Sequence, residues 1–132
     1  MSGVGILNLK TLLELNHETS FGDLPKNFFQ LVSPQGLSNP FIIDFNENVA
    51  ELIQLTSDQR EDDDFLAYMS GNKVLPNSTP IAAVYSGHQF GHYVPQLGDG
   101  RAILLTEIVT DKDCRWDIQL KGAGITAFSR QG

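Results

Sequence analysis

The chain has 132 residues, 41% of them hydrophobic, which suits one packed domain and excludes a disordered tail. Nine Lys and Arg against 16 Asp and Glu leave a formal charge of -7, so the sequence lacks the broad basic surface that binds nucleic acid or acidic lipid. Its single cysteine, Cys114, excludes an internal disulfide and a cysteine-rich zinc site, and a reducing cytoplasm is the expected location. No apolar run reaches the ~18 residues of a membrane span. The opening MSGVGILNLKTLLELN lacks the basic head and small-residue cleavage site of a leader peptide.

Leu9, Leu12 and Leu13 predict a short first helix, interrupted by the Thr, Ser and Gly of residues 17–23. Three prolines and a glycine across residues 24–40 predict an extended strap, coil with a little strand, pinned by Phe28, Phe29 and Leu31. Asn46 can cap a helix running through Leu55 with Val49, Leu52 and Ile53 on one face. Ser57 can cap a second helix carrying Phe65, Leu66 and Met69, with Gly71 as its stop. The acidic run at 61–64 lacks the alternating ligands and glycine of a calcium loop, and reads as a solvated first turn complementing a helix dipole.

After Pro80 the character changes. IAAVYS is a short apolar run, and GHQFGHYVPQLGDG packs four glycines and a proline into fourteen residues. RAILLTEIVT has strand composition, DKDCR is a turn, and WDIQLK alternates. Residues 1–80 hold 4 basic and 11 acidic side chains against 5 and 5 in residues 81–132, so phosphate contacts belong to the second segment. The expected organisation is α+β: an N-terminal extension of helices and Pro-rich strap over 1–80, then an antiparallel β-hairpin region with a glycine-rich turn over 81–132.

Gly98, Asp99, Gly100 and Arg101 form a Gly-x-Gly segment that lets backbone amides approach phosphate oxygens. Ile103 stands where a dinucleotide fingerprint has its third glycine, and a strand follows where that fingerprint opens a helix, so a Rossmann site is excluded. The phosphate loop that ends in Gly-Lys-Ser/Thr is absent as well. What remains is strand, glycine turn, strand, turn, strand and a lysine, the order of a protein-kinase nucleotide lobe. Trp116, Ile118 and Leu120 share one face of the last strand, and Asp117, Gln119 and Lys121 the other, so Lys121 points away from the core. Taken alone, residues 98–101 also fit an ordinary hairpin turn, Lys121 a solvent-facing strand end, and Arg101 a surface charge. Asp99 reads as a turn former capping its own turn. His88 and His92 stand four apart, but the flanking Gly87 and Gly91 oppose the helix that would bring them to one zinc; a structural hydrogen-bonding role is expected and no metal site.

The strings YSGHQFGHYVPQLGDGRAILLTE and WDIQLKGAGITAFSR closely resemble the selenoprotein O family, the YdiU-like proteins. The likeness extends back through FLAYMSGNKVLP and SFGDLPKNFF, over roughly residues 20–132. It implies a pseudokinase fold, here the small lobe, and protein adenylyltransferase activity. AMP would pass from a reversed ATP to Ser, Thr or Tyr hydroxyls of proteins, with release of pyrophosphate. Carried over residue by residue, the resemblance makes Gly98, Gly100 and Arg101 the nucleotide loop and Lys121 the phosphate-binding lysine. It also implies Mg²⁺, through carboxylates of a later family segment, hence the expectation of a truncated chain, resembling a family member's first quarter and inactive alone. The chain departs from the family's LGE at Leu105, Thr106 and Glu107, and from its TPYSR at Thr126, Ala127, Phe128, Ser129 and Arg130. Two other readings stay open: a non-catalytic remnant or interaction module, and a conventional phosphotransferase.

Overall fold

The structure, a computed structural model, describes residues 8–129; Arg130, which ends the TAFSR string, lies outside them. Among the described residues six strands form one antiparallel sheet beside two short helices, which makes the fold α+β as the sequence predicts. β1 (Asn16–Glu18) and β2 (Phe29–Leu31) come from the first segment, and β3 (Ile81–Gln89), β4 (His92–Gly98), β5 (Ala102–Val109) and β6 (Arg115–Lys121) from the second. The path β1-β5-β3-β2 is hydrogen-bonded throughout, with β4 added to β3 and β6 to β5.

The first helix is only a 3-10 turn over Leu12–Glu14, held by a bond from the Thr11 amide to Glu14 Oε1 at 3.0 Å. The interrupting residues then form β1 and another 3-10 turn, Ser20–Asp23. The strap contributes β2, as its composition suggests, but only Phe29 is pinned, edge-on to Phe21, while Phe28 and Leu31 are exposed. α1 (Glu47–Leu52) is capped by Asn46, whose side chain accepts from the amides of Asn48 and Val49. It ends earlier than the spacing suggests because Gln54 takes a positive φ of 63°. Its buried residues are Ala50 and, just past its end, Ile53; Val49 and Leu52 are half exposed.

The cap of the second helix differs from the expectation. Ser57 opens a 3-10 turn, Ser57–Glu61, and α2 (Asp63–Met69) is capped by Asp62, which accepts from the amides of Asp64 and Phe65. One member of the acidic run is therefore a structural cap, whose charged oxygen meets the positive helix end, while Ser57 lies in the 3-10 turn before it. Gly71 stops the helix at φ 81°. Phe65 and Tyr68 turn inward with Leu12, Leu15, Ala50, Ile53, Leu55, Leu75 and Ile108 of β5, so one core draws on both segments. Ile103, Leu105 and Ala123 form a second cluster on the same sheet.

Polar contacts fasten these layers. The buried Gln59 accepts from the Leu12 amide at 2.9 Å and donates to Asp62 at 3.1 Å. Gln54 and Asp111 bond reciprocally: the Gln54 amide group donates to Asp111 Oδ2 at 3.0 Å, and Asp111 N donates to Gln54 Oε1 at 2.7 Å. His17 is satisfied on both nitrogens, by Thr106 Oγ1 at 3.0 Å and Leu12 O at 2.7 Å. Since a carbonyl only accepts, Nε2 carries a proton.

Two measurements check this packing. Ile108, fully buried, should cost about 2–5 kcal/mol of unfolding free energy as Ile108→Ala. Ile43→Ser, at a position 90% exposed, should stay within about 0.5 kcal/mol in the same denaturant titration. The Asp62 carboxyl is held below the ordinary carboxylate range, first by the Asp64 amide and, through further hydrogen bonds, by Gln59 and Phe65. A depressed folded-state pKa stabilises above the unfolded value of about 4, and that contribution is lost as pH falls through the folded value. Asp62→Asn, which keeps the cap oxygen without the charge, should therefore show a melting temperature that falls less than the wild type's as pH drops below about 4.

Candidate functional site

The glycine segment is not the hairpin turn that its composition suggests. The tight turn lies at Phe90 and Gly91, between the paired residues Gln89 and His92, and both turn residues have positive φ, 52° and 77°. β4 then returns along β3 to Gly98, paired with Val84, and β5 rejoins β3 at Leu104, paired with Ile81. Six steps of chain from Gly98 to Leu104 thus face three steps of β3, and the surplus residues form a break between two strands that share one neighbour. β4 itself was not legible as a strand. Among the described residues it pairs with β3 alone, its register shifts opposite Tyr85 and Gly87, and Pro95 lies within it, a position an edge strand tolerates.

Asp99 spans the start of the break. Its amide donates to Ala83 O at 2.9 Å, and its carboxylate accepts from Ala83 N at 3.1 Å in place of a ladder carbonyl. It caps the neighbouring strand, not its own turn. The segment after β6 folds back over the same place: Thr126 Oγ1 donates to Asp99 O, and Ser129 Oγ donates to Gly100 O. A Cβ on Gly98 would lie 2.2 Å from the Phe128 ring, and one on Gly100 would lie 3.0 Å from Phe128 O. Close approach therefore favours glycine at 98, where a Cβ would overlap the ring, and leaves little room at 100, where it would press on the backbone of Phe128 and Ser129.

A cleft of about 490 Å³ opens here, walled by Gly98, Gly100 and Arg101 with Tyr85, Gln89, Gln96, Leu97 and Phe128. Three of the four expected site residues thus share one wall. Lys121 is not on it. It ends β6 opposite Ala102, and Gly122 N donates to Arg101 O at 2.9 Å, so its backbone is next to the break while its side chain is exposed. The ladder bears out the alternation: Leu120, Ile118 and Trp116 pair with Ile103, Thr106 and Ile108, whereas Lys121, Gln119 and Asp117 pair with Ala102, Leu104 and Glu107. Trp116 is at the rim of its face, 37% exposed, and is not a core residue. At the far end of the polar row Arg115 bonds Glu18 and Glu107, which raises its guanidinium pKa. Among the described residues Lys121 has no acidic partner of that kind.

The histidine pair is separated by the hairpin. His88 pairs with Tyr93 and meets its ring edge-on, and His92 pairs with Gln89, so neighbouring ladder positions direct the two imidazoles to opposite faces. Among the described residues no three His, Cys, Asp or Glu side chains converge on a metal position. Cys114 is exposed in the Thr110 turn, where Thr110 N donates to Cys114 O at 2.9 Å. The described residues contain no helix long and apolar enough to cross a membrane.

A family model described as protein adenylyltransferase SelO matches residues 11–132. The protein nucleotidyltransferase YdiU of Photobacterium profundum is 45% identical over 124 residues, covering 94% of this chain and 24% of that protein. Its namesake in Bordetella petrii is 48% identical over 122 residues, 92% of this chain and 24% of the relative. That of Rhizobium rhizogenes is 49% identical over 115 residues, 87% and 23%. The chain spans about a quarter of the length of these curated relatives.

The close approach at Gly98 makes a specific expectation. Gly98→Ala should destabilise the contact with residues 126–129 by about 1–3 kcal/mol, as overpacking does. Combining it with Phe128→Ala should restore most of the loss, and a double-mutant cycle on unfolding free energies reads that coupling. Gly91→Ala, with nothing within 4 Å of its Cβ but a φ of 77°, should cost about 1–2 kcal/mol whatever stands at 128.

Proposed function

The chain belongs to the protein adenylyltransferase SelO family, and on that premise we propose that it is the nucleotide-binding small lobe of such an enzyme. In this reading residues 81–132 carry the contacts to ATP, and residues 1–80 are the extension that braces them. The observation that carries the proposal is the glycine break: Gly98, Gly100 and Arg101 on one cleft wall, beside the strand that ends in Lys121. The order of strand, turn, interrupted strand, turn and lysine strand fits the kinase-like lobe.

The chemistry follows from charge and access. The glycines bring bare backbone against the polyphosphate, and Arg101 offers a planar, permanently charged fork suited to phosphate oxygens. Lys121 reaches the same polyphosphate by turning its flexible four-carbon stem from the polar face of β6 toward the break. Two cations stabilise charge that spreads over the phosphate oxygens as the bond to the leaving group loosens. For adenylyl transfer a Ser, Thr or Tyr hydroxyl of a protein attacks the α-phosphorus, the bond to the β-phosphate oxygen breaks, and pyrophosphate departs. Magnesium, which the resemblance implies for whole proteins, finds no donor set among the described residues. With one exposed cysteine and an acidic balance, the protein suits a reducing cytoplasm and has protein substrates as its partners, not nucleic acid.

In a protein of the relatives' length bearing this segment, Lys121→Ala should weaken ATP binding and AMP transfer about ten- to hundredfold. Folding should change little, because the side chain lies off the core. Lys121→Arg should rescue poorly, since a rigid fork replaces a compact ammonium. Lys112→Ala, in the turn between β5 and β6, should match the wild type. With ATP radiolabelled at the α- or the γ-phosphate, label on the acceptor protein should come from the α position; γ-label there would instead favour a conventional phosphotransferase.

A further inference from the structure

The segment after the lysine strand does more than cover the glycine break. Thr126 is buried, and its hydroxyl accepts from Phe128 N at 3.1 Å while donating to Asp99 O. Ser129 repeats the arrangement: its hydroxyl accepts from Thr126 N at 2.8 Å and donates to Gly100 O. Each hydroxyl is thus oriented by an amide of its own short turn and has its proton committed to a carbonyl of the break. The turn in turn is tied to β2, because Ala127 N donates to Gln30 Oε1 at 2.8 Å.

The consequence lies in the geometry of the peptide unit. In a trans peptide the carbonyl and the following N–H point in opposite directions. The Asp99 carbonyl shares its plane with the Gly100 amide, and the Gly100 carbonyl shares its plane with the Arg101 amide. With both carbonyls drawn toward residues 126–129, both planes turn the same way, and the Gly100 amide faces away from that segment. Successive amides oriented together are a backbone arrangement that receives an oxyanion.

We propose that Thr126 and Ser129 are positioning residues whose hydroxyls set the two peptide planes of the glycine break so that the Gly100 amide is aimed at the polyphosphate of a bound nucleotide. The inference rests on the nucleotide reading of the cleft. It assigns the two hydroxyls no contact with ligand and no part in bond making. The proton of each stays on its own oxygen throughout, and the loop meets the anion already oriented, without reorganising at the moment of binding. The Phe128 that stands between them in this chain contributes its ring to Gly98 and its backbone to Gly100, which leaves the orienting role to the flanking hydroxyls.

Amide NMR on the 132-residue chain tests this in two arms. Without ligand, the Gly100 and Arg101 amide resonances should move in Thr126→Val and Ser129→Ala but hold their places in Thr126→Ser, which keeps the hydroxyl. With ATP, and with inorganic triphosphate as the simpler probe, the wild-type Gly100 amide should shift and saturate. Thr126→Val and Ser129→Ala should then weaken the affinity about tenfold, the worth of one lost charge-assisted contact, and Thr126→Ser should stay within about twofold. Wild-type shifts at Gly100 with unchanged affinity in both variants would overturn the positioning role and leave the nucleotide reading standing. A wild-type chain whose Gly100 amide responds to neither probe would overturn the nucleotide reading and the inference with it. Should Thr126→Val unfold the chain, Ser129→Ala, which leaves Thr126 in place, carries the same comparison.

Discussion

The feature on which the rest of this molecule depends is a mismatch in length along one strand. β3 offers three steps from Val84 to Ile81, and the chain opposite takes six to travel from Gly98 to Leu104. Surplus backbone in the middle of a sheet must find partners for its amides and carbonyls, because leaving them buried and unpaired costs about 1–3 kcal/mol each. Three side chains answer that demand: Asp99 takes the Ala83 amide, Thr126 the Asp99 carbonyl and Ser129 the Gly100 carbonyl. The break is therefore a built element with a fixed shape. The close passage of Phe128 and Ser129 leaves no room for a side chain at Gly98 and little at Gly100.

That local device needs a rigid sheet around it, and the two segments of the chain supply one together. β1 and β2 enter the sheet from the acidic first segment, and Ile108 of β5 packs in the same cluster as Leu12, Ala50 and Phe65. The reciprocal pair Gln54 and Asp111 ties α1's end to the β5–β6 turn. Asp111 is held below the ordinary carboxylate range, by Gln54 first and then by Lys10. The charge asymmetry seen in the sequence takes a spatial form. Arg115 is engaged by Glu18 and Glu107 at one end of the polar row, and Lys121 ends the row beside the break.

Where a residue's effect is local, the sequence was a good guide. Asn46 caps, Gly71 stops, the turn at residues 111–115 joins two strands, and the period-two pattern of WDIQLK puts Lys121 off the core. The misreadings arose where tertiary packing decides. Leu9, Leu12 and Leu13 have helical spacing, yet a single 3-10 turn suffices to bury Leu12 and Leu15. The glycines and Pro95 of residues 87–98 made an edge strand look like a loop, since edges tolerate residues that central strands reject. Phe90 gave no hint of a positive-φ turn. The candidate wall of Gly98, Gly100 and Arg101 was visible in the wording of the chain, but the roles of Asp99, Thr126 and Ser129 depend on partners 16 to 29 residues away. The one available signal was the Thr-x-x-Ser spacing, which suits a side-chain-closed turn.

The central claim, that the glycine break and the β6 lysine hold one polyphosphate, is tested most directly by chemical reach. An adenosine acyl-phosphate transfers its acyl group to whichever lysine amine lies against the bound phosphates, and peptide mass spectrometry locates the product. The account predicts acylation of Lys121, suppressed by excess ATP, with Lys112 and Lys73 labelled only at the background rate of exposed amines. Equal labelling of all three lysines, insensitive to ATP, would contradict it.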